Sequence, residues 1–334
     1  FGVFVFPHTF VLFDLSRVRR PQPAFPLGNA MAKITKVVKS LFKLVIPVIS
    51  LVIIVVIGLS IWLVYTVARP MPTQNILTPD KYARLSSRAA QITEESWSNK
   101  DGSQAHGWLL RGAESAPAVI LYHRYGTNRS HLLNLGVKIN ESTNFTVLMP
   151  DLRSHGATAA GFCTFGGCDA KDAAAAVDFL LNLRTPTGIS LIQKKVGVYG
   201  IELGSLYALA AAGEKPEVTA LALDSVPESS EQLLEQVVDQ RFPFMSTVTG
   251  KLAVLGTRFY YYQGCFDRGT TCSAAKRLEN RHVLLLAGLD APAYADATTR
   301  LTKCFPSSTR VEAKLDLSPT GMTMINASVE QSET

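Results

Sequence analysis

Between Val196 and Leu209 the chain reads Val-Gly-Val-Tyr-Gly-Ile-Glu-Leu-Gly-Ser-Leu-Tyr-Ala-Leu. A short apolar run stops at a glycine, a second glycine follows four positions later, and a stretch rich in Ala and Leu continues from there. Valine and tyrosine fit a pleated strand, and Ala and Leu are strong helix formers. Gly200 and Gly204 carry no Cβ, so the backbone between them can turn sharply and bring two elements close together. The order dictated is strand, tight turn, helix. Glu202 stands at the turn.

Such a unit needs a sheet to belong to, and the surrounding sequence supplies one. Ile92–Asn99 and Gln104–Arg111 alternate around Lys100-Asp-Gly102, which reads as a β-hairpin. Apolar strands are then expected at Ala118–Tyr122, Thr146–Pro150, Lys195–Tyr199, Val218–Leu223, Val283–Ala287 and Thr309–Leu315. Helices are expected near Ser130–Asn140, Asp169–Leu183, Leu203–Ala212 and Ala293–Lys303. Strands apolar on both faces and separated by helices make an α/β chain with a mostly parallel sheet, covered on both sides. Residues 228–280 break this rhythm with a partly helical insert, which would lie as a cap over the carboxyl ends of the strands.

The N-terminal part is of another kind. Leu44–Ala68 holds no charged residue in 25 positions. At roughly 1.5 Å per residue that is about 37 Å of helix, enough for a hydrocarbon core of roughly 30 Å. Seven of the 33 Lys and Arg, but only one of the 27 Asp and Glu, lie in residues 1–43, so the net charge of +6 belongs to that segment. The remainder is neutral, which argues for a basic membrane-proximal tail and against a nucleic-acid surface. Lysines ahead of the apolar run put the N-terminus on the cytoplasmic side and the main domain outside the cytosol. The chain is thus expected to comprise a basic segment 1–43, a transmembrane signal anchor 44–68, a linker 69–90 and a domain 91–334. Residues 1–30 match nothing downstream and read as upstream sequence, with Met31 a more natural start. Of the five cysteines, Cys163/Cys168 and Cys265/Cys272 are close pairs that could bridge in an oxidising compartment, with Cys304 left over. Their spacing is unlike a zinc site and no histidine lies near them, so no metal or other cofactor is expected.

Four stretches in order carry a family resemblance: His123-Arg-Tyr-Gly-Thr-Asn-Arg129, Asp151-Leu-Arg-Ser-His-Gly156, Gly200-Ile-Glu-Leu-Gly204 and Gly288-Leu-Asp290. Residues 90–325 resemble the α/β-hydrolase superfamily, in particular its serine-aminopeptidase-like and dienelactone-hydrolase-like members. The resemblance implies an oxyanion loop at His123, Arg124 and Tyr125, with a further backbone donor at Leu203. It places the nucleophile at 202, the catalytic acid at Asp290, and the catalytic histidine in the loop after the last strand, where Thr320 stands. It also gives His123 and His155 scaffold roles, and implies a last helix that this sequence would truncate.

The family mechanism needs a serine activated by a base and backbone donors for the oxyanion. Here Glu202 replaces the serine, no histidine follows His282, and Arg124 stands where the family has glycine. A threonine hydroxyl accepts no proton at neutral pH. The preferred reading is a membrane-anchored pseudo-hydrolase that binds a small molecule or a protein. The alternatives are an active ester or peptide hydrolase with a non-standard nucleophile or base, and a structural ectodomain whose pocket is filled by side chains. An ion pair between Arg124 and Glu202 across the pocket is a further expectation, since a confined carboxylate needs a partner.

Overall fold

An eight-stranded sheet in the order β1-β2-β4-β3-β5-β6-β7-β8 organises the computed structural model, which describes residues 27–71, 73–158 and 161–323. The strands are β1 (Thr93–Ser98), β2 (Gln104–Leu110), β3 (Ala116–Tyr122), β4 (Thr146–Pro150), β5 (Ile192–Ile201), β6 (Val218–Asp224), β7 (His282–Gly288) and β8 (Arg310–Leu317). The helices are α1 (Leu27–Ala68), α2 (Pro79–Tyr82), α3 (Leu133–Thr143), α4 (Asp172–Asn182), α5 (Leu203–Glu214), α6 (Ser230–Arg241), α7 (Ser246–Tyr260), α8 (Thr271–Ala275) and α9 (Pro292–Leu301). Strands β1 and β2 form the expected hairpin, β2 joins β4 antiparallel, and every later pairing is parallel. The fold is α/β with a mostly parallel sheet, as the alternation of elements required.

Alternate residues along each central strand serve different layers. Ile120 and Leu148 face the core that contains α4 and α5, whereas Leu121, Val147 and Met149 face the core that contains Leu133 and Val137 of α3. All five residues of β4 are buried, which explains its unbroken apolar run. The third helix starts later than its sequence suggests, because Arg129–Leu132 wind as a 3-10 turn capped by the Asn128 side chain. Its end is set by Asn144 in the left-handed conformation, φ 55°.

The chain divides after Val55 into two compact units. In the first, the described side chains of α1 from Leu41 onward are exposed and mostly apolar. The stretch Lys39–Ala68 is long and apolar enough to cross a membrane, and an 18-residue window within it reaches a mean hydropathy of 3.1. Expectations for residues 1–26 and for a helix beyond Thr323 lie outside the described residues. In the second unit, the last turns of α1 belong to the core. Leu63, Val64, Val67 and Ala68 are buried. Helix α7 lies so close that a Cβ on Gly256 would stand 2.1 Å from the Ser60 carbonyl oxygen. Each Leu or Val buried in this way contributes about 1.5–3 kcal/mol.

Between β6 and β7 run α6, α7 and α8, and two disulfides tie this insertion down. The sequence-local pairs Cys163/Cys168 and Cys265/Cys272 do not form. Cys168 bonds Cys265, 97 residues away, Cys272 bonds Cys304, 32 residues away, and Cys163 is free and buried. Proximity along the chain misleads here, since the loop after β4 meets the insertion in space: the Cys168 N–H donates to the Cys265 carbonyl at 3.1 Å.

Candidate functional site

The turn after β5 is built as its glycines require. A Cβ on Gly200 would stand 2.1 Å from the Gly204 carbonyl oxygen, and one on Gly204 would stand 2.2 Å from that of Tyr122. Only glycine lets the start of α5 press on β3 and β5 so closely. Glu202 is consequently held at φ 51°, ψ −108°, a strained conformation for a residue with a side chain. Its N–H donates to the Asp224 carbonyl at 3.0 Å, and its own carbonyl accepts the Ser205 hydroxyl at 2.6 Å.

The Glu202 side chain points inward and is 3% exposed. One carboxyl oxygen accepts the backbone N–H of Tyr125 at 2.9 Å; the other accepts the hydroxyl of Tyr294, on α9, at 3.1 Å. Burial pushes the carboxyl pKa up, against the pull of the Tyr125 and Leu203 N–H groups, Arg124 and Tyr294. The expected ion pair is absent: Arg124 comes no closer than 4.0 Å and acts on Glu202 only through its field. The carboxyl group has two neutral donors at closer range, the Tyr125 N–H and the Tyr294 hydroxyl, and Arg124 is half-buried.

The rest of the loop after β3 is fastened by histidines. His123 accepts the Leu152 N–H on Nε2 at 3.1 Å and has Nδ1 2.8 Å from the Arg124 carbonyl. His155 accepts the Gly126 N–H on Nε2 at 3.1 Å and has Nδ1 2.9 Å from the Arg153 carbonyl. Both nitrogens of each ring are thus spent on backbone, with Nδ1 the protonated atom. Burial lowers both pKa values to about 3. The Tyr125 ring stacks on Phe165 and its hydroxyl donates to the Val67 carbonyl of α1 at 2.6 Å.

Across the sheet end, Thr320 donates its N–H and its hydroxyl to Asp290 Oδ2, each at 2.9 Å. Thr323 also donates to that oxygen. Burial pushes Asp290 up, but the hydrogen bonds from Thr323 and Thr320 outweigh it and leave the pKa below the usual carboxylate value. The structure therefore brings Asp290 and Thr320 together, and separately brings Glu202 to Tyr125.

Two residues in this region escaped the sequence reading. Tyr294, 2% exposed, closes over Glu202. Its signal was Pro292, which starts α9 and sets Tyr294 in the first turn, facing the sheet end. Asp224, at the end of β6, accepts the Tyr199 hydroxyl at 3.0 Å and the Gly321 N–H at 2.8 Å, so it fixes the loop that carries Thr320. Nothing in the sequence distinguished it from other strand-end carboxylates. A cavity of about 510 Å³ runs along the sheet from β5 to β8 with Asp224 and Thr320 at its rim, and Glu202 does not line it. Among the described residues no group of three or more His, Cys, Asp or Glu could hold a metal ion.

No family model and no curated protein matches the sequence. Solved structures do match. An esterase of Pyrococcus furiosus, Pf2001, is 17% identical, with a TM-score of 0.56 over 80% of this chain and 95% of its own. DcsB, solved in complex with its substrate analogue, is 15% identical, with a TM-score of 0.50 over 72% of this chain and 97% of its own. A 2,6-dihydroxy-pseudo-oxynicotine hydrolase is 16% identical, with a TM-score of 0.50 over 71% of this chain and 66% of its own.

Proposed function

We propose that this chain, which has the α/β-hydrolase fold, is a membrane-anchored protein that has given up ester and peptide hydrolysis and keeps the scaffold for binding a partner. One observation carries the reading. The Glu202 carboxyl takes the Tyr125 N–H, a donor an acyl-transfer site would need for its oxyanion, while Tyr294 covers the same carboxyl. No substrate carbonyl can reach that donor without displacing a buried side chain. Both oxygens of Glu202 are taken by hydrogen-bond donors, and Thr320 supplies no base.

The apolar run of α1 is the anchor in this reading, with the N-terminus cytoplasmic and residues 69–334 beyond the membrane. Lys33, Lys36, Lys39 and Lys43 on its N-terminal side support that orientation, and the two disulfides suit an oxidising compartment. Glu202, Tyr125 and Tyr294 fill the space at the elbow, so the binding element in this reading is a protein surface or the separate cavity lined by Asp224 and Thr320.

The test is chemical. Full-length protein in detergent or nanodiscs is treated with a fluorophosphonate probe and with a p-nitrophenyl ester. Neither covalent labelling nor turnover above the buffer rate is expected. A labelled residue or an acyl-enzyme burst at the site would overturn the reading.

A further inference from the structure

Phe244, in the turn between α6 and α7, is 100% exposed. It has company. Trp62, Tyr65, Phe162, Phe259 and Tyr262 are between 38% and 78% exposed, and ring contacts knit their neighbourhood together. Trp62 lies 5.6 Å from Phe242, Tyr65 lies 6.5 Å from Tyr260, and Phe162 lies 5.9 Å from Tyr260, measured between ring centroids. The exposed apolar side chains elsewhere in this unit, such as Leu85 and Ile189, belong to no such ring cluster. Phe244 is two residues beyond Phe242, and Phe259 and Tyr262 flank Tyr260 and Tyr261, so the exposed rings adjoin the linked ones in sequence. Isolated apolar residues are ordinary, whereas a belt of large rings marks a contact surface.

The position of the belt identifies its occupant. Trp62 and Tyr65 lie near the end of the apolar stretch Lys39–Ala68, the part of α1 suited to a bilayer. Counting about 20 residues of hydrocarbon from Leu44 ends at roughly Leu63, so these two rings fall at the lipid–water boundary, where Trp and Tyr prefer to sit. Arg69 follows directly, its guanidinium 4.7 Å over the Tyr65 ring, and Arg241, Lys251 and Arg258 are exposed on α6 and α7, where Glu235 and Asp239 lie against Gly250. Aromatic rings at the end of an apolar span, with Arg69 over one of them, match the headgroup interface of a bilayer.

We propose that this belt, with Phe244 at the tip of the insertion, beds in the headgroup region of the bilayer, so that the protein touches the membrane at a second place beside its span. The inference rests on the reading of α1 as a membrane anchor. Single cysteines at Phe244→Cys, Ile53→Cys and Ile189→Cys are labelled with an environment-sensitive fluorophore in full-length protein. The protein is held in nanodiscs of phosphatidylcholine and phosphatidylglycerol, and unsubstituted protein serves as the blank for the buried Cys163. With shallow spin-labelled lipid, the Phe244→Cys label is expected to shift to the blue and lose at least half its emission. Ile53→Cys responds to deep spin label, and Ile189→Cys, in the loop before β5, to neither. Water-like emission at 244 with a quenched label at 53 overturns the proposal and leaves the anchor standing. Water-like emission at both positions removes the anchor reading and the proposal with it. A blue shift at 244 without lipid quenching means that protein covers the tip, which also overturns it.

Discussion

Thr320 gives both its N–H and its hydroxyl to one oxygen of Asp290. A histidine in such a place would spend one ring nitrogen on the carboxylate and keep a basic nitrogen facing the elbow. Threonine keeps nothing. Glu202 in turn has no link to Thr320 and is satisfied by Tyr125 and Tyr294. The carboxylate is oriented, yet it orients a hydroxyl that cannot take up a proton at neutral pH.

On the proposed reading, a serine at position 202 alone is not enough. Glu202→Ser is expected to hydrolyse p-nitrophenyl acetate no faster than buffer. Glu202→Ser with Thr320→His and Arg124→Gly is the smallest set with a route to a covalent intermediate. It carries a packing penalty of about 1–3 kcal/mol, since Thr320 is fully buried with its methyl near Gly288. Burst kinetics from Glu202→Ser by itself would reveal a base other than residue 320.

Glu202→Gln reads the state of the buried carboxyl. Burial raises its pKa above the ordinary 4.5, so its favourable contribution is complete below pH 4.5 and is lost as pH rises through the folded-state value. Glutamine does not titrate. The melting temperature of the variant should therefore gain on wild type from pH 4.5 upward and match its trend below. A variant that loses ground as pH rises would show that Glu202 is ionised and stabilised in place.

Acid should unfold the domain through His123 and His155. Both are held neutral with pKa values near 3, against 6.5 when unfolded, so the stability they confer is present above pH 6.5 and falls as pH drops towards 3. The slope approaches about 1.4 kcal/mol per pH unit for each ring. Urea midpoints between pH 7 and 4 measure it. A flat profile would mean that neither ring is buried neutral.

Removing the Arg124 side chain should matter little. With no ion pair to break, Arg124→Gly is expected to change stability by less than about 1 kcal/mol, the scale of exposed pairs. A loss of about 3–5 kcal/mol in chemical denaturation would instead indicate a buried partner left stranded.

The two disulfides should differ in value. By chain entropy the 97-residue closure between Cys168 and Cys265 stabilises by about 4.7 kcal/mol, and the 32-residue closure between Cys272 and Cys304 by about 3.7 kcal/mol. Denaturation of the two double serine variants under oxidising conditions ranks them. Equal or reversed losses would place the difference in native-state packing.

Local chemistry made the strand order of elements readable: Gly200 and Gly204 announced the elbow, and apolar runs such as Thr146–Pro150 announced buried strands. The family resemblance singled out Asp290 and Thr320 in the loops after β7 and β8, and the structure joins them by hydrogen bonds. The partners of Glu202 were not legible. Tyr294 arrives from a helix 92 residues away, and the Tyr125 donor is a backbone group that no side chain advertises. The disulfides failed in the same manner, since they link segments that meet only after the insertion folds over the loop that follows β4.

The seam between the apolar helix and the domain has a mechanical consequence. The carbonyls of Val67 and Ala68, which a helix end leaves without partners in its own turn, are taken up by the Tyr125 hydroxyl and the Cys163 N–H. There is no slack between them and the loop that holds Glu202. Tension at the end of α1 would load the Val67–Tyr125 bond, and Tyr125 is the residue whose own N–H holds the Glu202 carboxyl. One residue thus couples the end of α1 to the elbow: Tyr125 holds the helix through its hydroxyl and Glu202 through its backbone.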